Sequence, residues 1–105
     1  SEDVVIDWHK PVGEIYDVIR GSDPSPGANS TFDGTRIGFF KTSKAIEETG
    51  RPGGEVVEVN ESGFRVAALG GSIMVGRVQQ GNQRKIMASE WMDSVGLVKG
   101  ARFGT

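Results

Sequence analysis

IDWHKPVGEIYDVIRGSDPSPGA, residues 6–28, sets a tryptophan, a short amphipathic segment and a proline-glycine turn in fixed order. From Pro11 to Arg20 the apolar side chains of Val12, Ile15, Tyr16 and Ile19 recur three and four positions apart, the spacing that lines up one face of a helix. Pro11 suits the first helical turn, where its missing N–H would have no partner anyway, and Gly21 suits the left-handed residue that ends a helix. Asp7 offers a side-chain acceptor near the start. Trp8, just ahead of the helix, is expected to fold back over the Tyr16 side or to cap the open end of a barrel.

Beyond this helix, residues 21–34 read as irregular, because Pro24, Pro26, Gly27, Asn29 and the Asp33-Gly34 pair all form turns. Thr35 to Thr42 reads as a strand with Phe39 or Phe40 facing the core, and Ala45 and Ile46 are positioned to extend it. Residues 47–54 form an exposed loop with Arg51 near its tip. The turn NESG, residues 60–63, then joins two valine-rich segments into the clearest hairpin, with Val56 or Val57, Val59, Phe64 and Val66 for its inner face. In the next strand the alternation of Ile73, Val75 and Val78 slips by one at Gly76, where a bulge or sharp bend fits. Ser89 is expected to cap a short helix through Asp93 that buries Trp91, and LVKGARFG to return as a closing strand.

The 105 residues fit one domain. Short strands bent at glycines, with two short helices, predict a mostly β fold, a small OB-like barrel whose closure hides its edges; an SH3-like barrel fits the periodicity nearly as well. The opening VVIDW reads as the tail of an extended segment, which makes residues 1–7 the end of a linker in a piece of a longer protein.

Composition removes several kinds of chemistry. With no cysteine there is no disulfide, thiolate metal site or thiol nucleophile, and a single histidine with scattered acids does not make a zinc site. A net charge of −2 supplies no long-range attraction for nucleic acid or an anionic membrane. No apolar run reaches the ~17–25 residues of a membrane-spanning helix, and SEDVV lacks the positive region of a secretory signal, which makes the cytoplasm the default. The glycine pairs at Pro52–Gly54 and Gly70–Gly71 lack the lysine and hydroxyl residue of a phosphate loop and read as turns.

DWHKPVGEIYDVIRG, then PGA, a strand with FF, a loop ending in PGG, the valine-rich hairpin and RKIMASEW together resemble the C-terminal domain of formyltransferases, over nearly the whole chain. The likeness is nearest to the region after the hydrolase core of cytosolic 10-formyltetrahydrofolate dehydrogenase, with methionyl-tRNA, sugar and nonribosomal formyltransferases further away. The resemblance implies an accessory domain packed on a larger, N-terminal Rossmann-like catalytic domain of the same chain. There the parent would transfer or hydrolyse the formyl group of 10-formyltetrahydrofolate; this domain would hold no cofactor.

The family's catalytic asparagine, histidine and aspartate belong to that other domain. Asn29, His9 and Asp7 are the right residue types but match none of its segments, so no catalytic role is carried over. Structural roles fall to Trp8, Ile15, Tyr16, Ile19, Arg20, Pro26, Gly27 and Trp91. Arg20 is expected to hold the 23–28 loop by its guanidinium, against the plainer reading of a cation favoured near a helix C-terminus. Arg51, Arg84 and Lys85 are candidates for a basic or substrate-side surface. The competing functional reading is a small RNA- or nucleotide-binding OB-like module; the mixing of acids with basic residues along the strands makes nucleic acid the weaker partner.

Overall fold

The computed structural model describes residues 3–105. In chain order these form β1 (Val4–Val5), α1 (Val12–Ser22), β2 (Ala28–Phe32), β3 (Thr35–Ala45), β4 (Val56–Asn60), β5 (Gly63–Ala68), β6 (Gly71–Gln80), β7 (Ile86–Met87) and α2 (Ala88–Val95). The fold is mostly β with two short helices, as the turn-rich sequence predicts. The sheet order is β1-β2-β3-β6-β5-β4, with β7 paired to β6; β1 runs parallel to β2 and the other pairs are antiparallel.

Asp33 (φ 50°) and Gly34 (φ 79°) both adopt left-handed angles, which a two-residue hairpin turn matched to strand twist requires. They join β2 to β3, so the segment read as irregular contains a strand. Its sequence, ANSTF, hides this because its buried Asn29 and Ser30 are polar. Each has a partner: Asn29 Nδ2 donates to Asp3 Oδ1 and to the Val4 carbonyl, and Ser30 Oγ accepts from Trp8 Nε1. Within the stretch read as linker, Val4–Val5 pair with Ala28 and Asn29; residues 1 and 2 lie outside the described residues.

The helices differ from expectation at their ends. Pro11 is the residue before α1, and the helix runs through Gly21 to Ser22, where Pro24 prevents continuation. Asp7 Oδ1 accepts from the His9 N–H and takes no part in capping α1. α2 starts at Ala88 with no side-chain cap, so Ser89 lies inside it, and Gly96 ends it at φ 65°.

β3 extends to Ala45, and both of its phenylalanines are buried. Phe39 joins the main core; Phe40 lies outside that cluster, against Gly27 and Lys85. The slip at Gly76 is present: the fully buried apolar side chains of β6 are Ile73, Val75 and Val78. The β3–β6 register does not shift there, because Lys41 on β3 bends in step at φ 52°. The register shift occurs between Val56 and Glu58, a bulge the alternation of VVEV does not reveal.

Closure comes from the last residues, which form no ladder of their own. Val56 N–H donates to Ala101 O, Gly100 N–H to Val56 O and Phe103 N–H to Gly54 O, while Gly104 N–H donates to Thr31 O. The tail therefore joins the β4 side of the sheet to β2. It also carries Phe103 into the core, where its ring lies 5.2–6.4 Å from those of Trp8, Phe32, Phe39, Phe64 and Trp91.

Candidate functional site

Residues 6–28 bury one helix face and one tryptophan. Ile15 and Ile19 sit in the core with Val12, and Trp8 packs edge-on to Phe39 at 5.9 Å. Its indole N–H donates to Ser30 Oγ at 3.0 Å, which satisfies the one polar atom of an otherwise apolar anchor. Trp8 thus seals the core beside Phe39 and Phe103. Tyr16 is half-buried, and its ring receives two cations instead, Arg20 at 5.5 Å and Lys44 at 5.1 Å.

Arg20 does not hold the loop. Its side chain is exposed over Tyr16, and only its backbone carbonyl engages the turn, accepting from the Asp23 N–H. The loop is held by other groups. Gly27 N–H donates to Ser22 O at 2.8 Å, and Lys85 Nζ donates to Pro24 O at 2.7 Å while standing 4.0 Å from the Phe40 ring centroid. Gly27 has φ 86°, and a Cβ there would come within 2.7 Å of Phe40 Cε1, so the position takes only glycine without displacement. Pro26 is exposed beside it. The cation that fixes the loop is therefore Lys85, far away in sequence, because the helix-end arginine finds an aromatic face nearer by.

The remaining candidates are spread out. Trp91 is buried and donates to Gln80 Oε1 at 3.1 Å; Met92 is buried beside it. Arg51 grips Glu55 with two hydrogen bonds, 2.7 and 3.1 Å, which holds the Glu55 carboxyl below the usual range and raises the guanidinium. Arg84 reaches Glu90 at 3.9 Å with its side chain 79% exposed. Arg51, Arg84 and Lys85 thus make three separate contacts and share no pocket lining.

His9 is 88% exposed, with Nδ1 3.3 Å from Asp7 Oδ1. The His9 backbone N–H, ahead of its ring, holds Asp7 below the usual carboxylate range. No serine hydroxyl is hydrogen-bonded to His9 among the described residues. Among the same residues no three His, Asp or Glu side chains cluster as metal ligands. A groove of about 620 Å³ lies between α2 and the β4–β5 turn and is lined by residues such as Asn60, Glu61 and Asp93, none of which the sequence marks for chemistry.

Alongside this geometry, a family model described as "Formyl transferase, C-terminal domain" matches residues 1–96. The chain belongs to that family. A methionyl-tRNA formyltransferase of Magnetococcus marinus is 32% identical over 104 residues, covering 99% of this chain and 33% of the relative. One from Variovorax paradoxus is 34% identical, covering 94% of this chain and 31% of the relative. The chain spans about a third of the length of these curated relatives. The solved structure of HypX from Aquifex aeolicus in complex with tetrahydrofolic acid superimposes with a TM-score of 0.72 over 83% of this chain and 16% of the other, at 20% identity, a likeness of fold.

Phe103, which touches five aromatic rings, lies beyond the family match and is not singled out by sequence reasoning. One phenylalanine in a glycine-rich tail has no periodicity to mark it. The only signal is its size in a chain with few large apolar residues.

Proposed function

We propose that this chain is the noncatalytic accessory domain of an enzyme that transfers or hydrolyses the formyl group of 10-formyltetrahydrofolate, bracing an N-terminal Rossmann-like catalytic domain and shaping access to its cleft. The observation that carries this reading is the family match combined with how the distinctive residues are used. Trp8, Ile15, Ile19, Gly27 and Trp91 all serve packing, and the buried carboxylate of Glu55 is consumed by Arg51. HypX was solved in complex with tetrahydrofolic acid, which supports folate as the parent's cofactor. No helix among the described residues is long and apolar enough to cross a membrane, and the reading puts the parent enzyme in the cytoplasm.

Deleting these residues from the parent enzyme tests the reading. The expected result is folate binding retained by the catalytic part, with kcat/KM for the formyl acceptor reduced about tenfold or more through a raised KM. Unchanged kinetics in a stable truncated enzyme would overturn the bracing role.

A further inference from the structure

The joint bend of β3 and β6 builds a charged concavity that the accessory role does not use. Phe40 and Arg77 are direct partners across the two strands and so share a face of the sheet. Next to them Lys41 takes φ 52°, unusual for a residue with a long side chain. Its stem lies across Gly76: a Cβ there would stand 3.4 Å from Lys41 Cγ and Cδ and 3.1 Å from its carbonyl oxygen. Lys85 immediately precedes β7, whose pairing with Val78 and Arg77 brings it alongside β6. The result is a space of about 360 Å³ lined by Asp23, Pro24, Phe40, Lys41, Arg77 and Lys85.

Cations outnumber acids three to one in this lining. Four arginines elsewhere pair with acids, Arg36–Asp3, Arg51–Glu55, Arg65–Glu58 and Arg84–Glu90, and Arg20 lies over the Tyr16 ring. Among the described residues Lys41, Arg77 and Lys85 enter no ion pair, and Asp23, the one acid of the lining, pairs with none of them. Three cations converge in a chain whose net charge is −2. An ammonium has three N–H donors; Lys85 spends one on Pro24 O, leaving two, and Arg77 offers a planar fork of donors.

We propose that this concavity binds a phosphate or diphosphate group of a small molecule, with Arg77 gripping two oxygens and Lys41 and Lys85 neutralising the remaining charge. A compact anion fits because three cations line one small concavity. A nucleic-acid strand needs successive cations along its backbone, and a chain of net charge −2 would repel the phosphates that find none. The proposal stands independently of the formyltransferase reading, since it concerns the chain's own surface.

Calorimetric and amide-shift titration of the 105-residue chain with sodium pyrophosphate at low ionic strength tests the site. Saturable binding is expected, with shifts centred on Phe40, Lys41, Arg77 and Lys85. Arg77→Gln should weaken it at least tenfold, and adding Lys41→Gln about a hundredfold, with circular dichroism unchanged; Lys99→Gln, away from the pocket, should bind like the parent. No saturable binding, or equal weakening in Lys99→Gln, overturns the proposal. So does binding of a single-stranded oligonucleotide with a steep salt dependence when pyrophosphate does not bind.

Discussion

Residues 6–28 and residues 97–105 seal the same core from opposite ends of the chain by different means. The first inserts side chains: a tryptophan and one helix face enter the core. The second relies more on backbone, hydrogen-bonding to Gly54, Val56 and Thr31, and adds Leu97 and a single ring, Phe103, to the core. β2 records both, because the Ile6 N–H donates to Asn29 O near its start and the tail's Gly104 N–H to Thr31 O near its end. A helix face can lose one side chain and keep the rest of its contacts. The tail has less reserve, since besides Phe103 it places only Leu97 in the core with Ala101 against it.

Phe103→Ala separates the two seals with the largest expected effect. Removing a buried ring that touches five others should cost about 3–5 kcal/mol, enough to lower the melting temperature by more than about ten degrees. Exchange of the Val56 and Gly104 amides should rise above that of the α1 amides, since the tail would detach before the helix. Equal acceleration at both places would show that the two seals are one cooperative unit.

Gly27→Ala probes the first seal at its turn. The left-handed angle and the overlap with Phe40 should together cost about 1–3 kcal/mol, read as a lower urea midpoint. Gly21→Ala is its control: there a Cβ meets nothing within 4 Å and the residue is helical, so stability should rise slightly.

Acid sensitivity is expected near the tail. Arg51 holds Glu55 below the usual range, and the Asn60 amide, followed by Arg65, does the same for Glu58. A carboxylate lowered in the folded state binds fewer protons than in the unfolded chain. Its stabilisation is full above the unfolded value, ~4.3 for glutamate, and is lost as pH falls through the folded value. Glu55→Gln should lower stability at neutral pH and flatten the acid limb of urea midpoints measured from pH ~7 down to ~2.5. An unchanged acid limb would remove Glu55 from the account.

The smallest effect is expected at Arg20. Its exposed contact with Tyr16 is worth no more than about 0.5–1 kcal/mol, whereas Lys85→Ala should loosen the 23–27 loop, seen as faster exchange of the Gly27 amide. The reverse order would restore the helix-end arginine as the clamp.

The contrast between the two seals also explains what is legible in the sequence. α1 is legible because its apolar residues keep helical spacing, and the β4–β5 hairpin because polar turn residues separate two valine-rich runs. The Asp33-Gly34 turn is legible from its residue types, but β2 is not, since its buried Asn29 and Ser30 are polar and satisfied by distant groups, Asp3, Val4 and Trp8. The role of Lys85 as the loop's clamp is hidden for the same reason: its partners, Pro24 and Phe40, are brought to it by the fold. Local pattern shows what a segment does with its neighbours in sequence. It does not show which remote group completes a hydrogen bond.

On the proposed reading, this chain supports a reaction that another domain carries out. The decisive measurement is to incubate the isolated chain with 10-formyltetrahydrofolate and follow formate release and tetrahydrofolate formation. No turnover above buffer is expected, and the same result for His9→Ala. Sustained turnover by the chain, abolished in His9→Ala while its fold remains intact, would contradict the account.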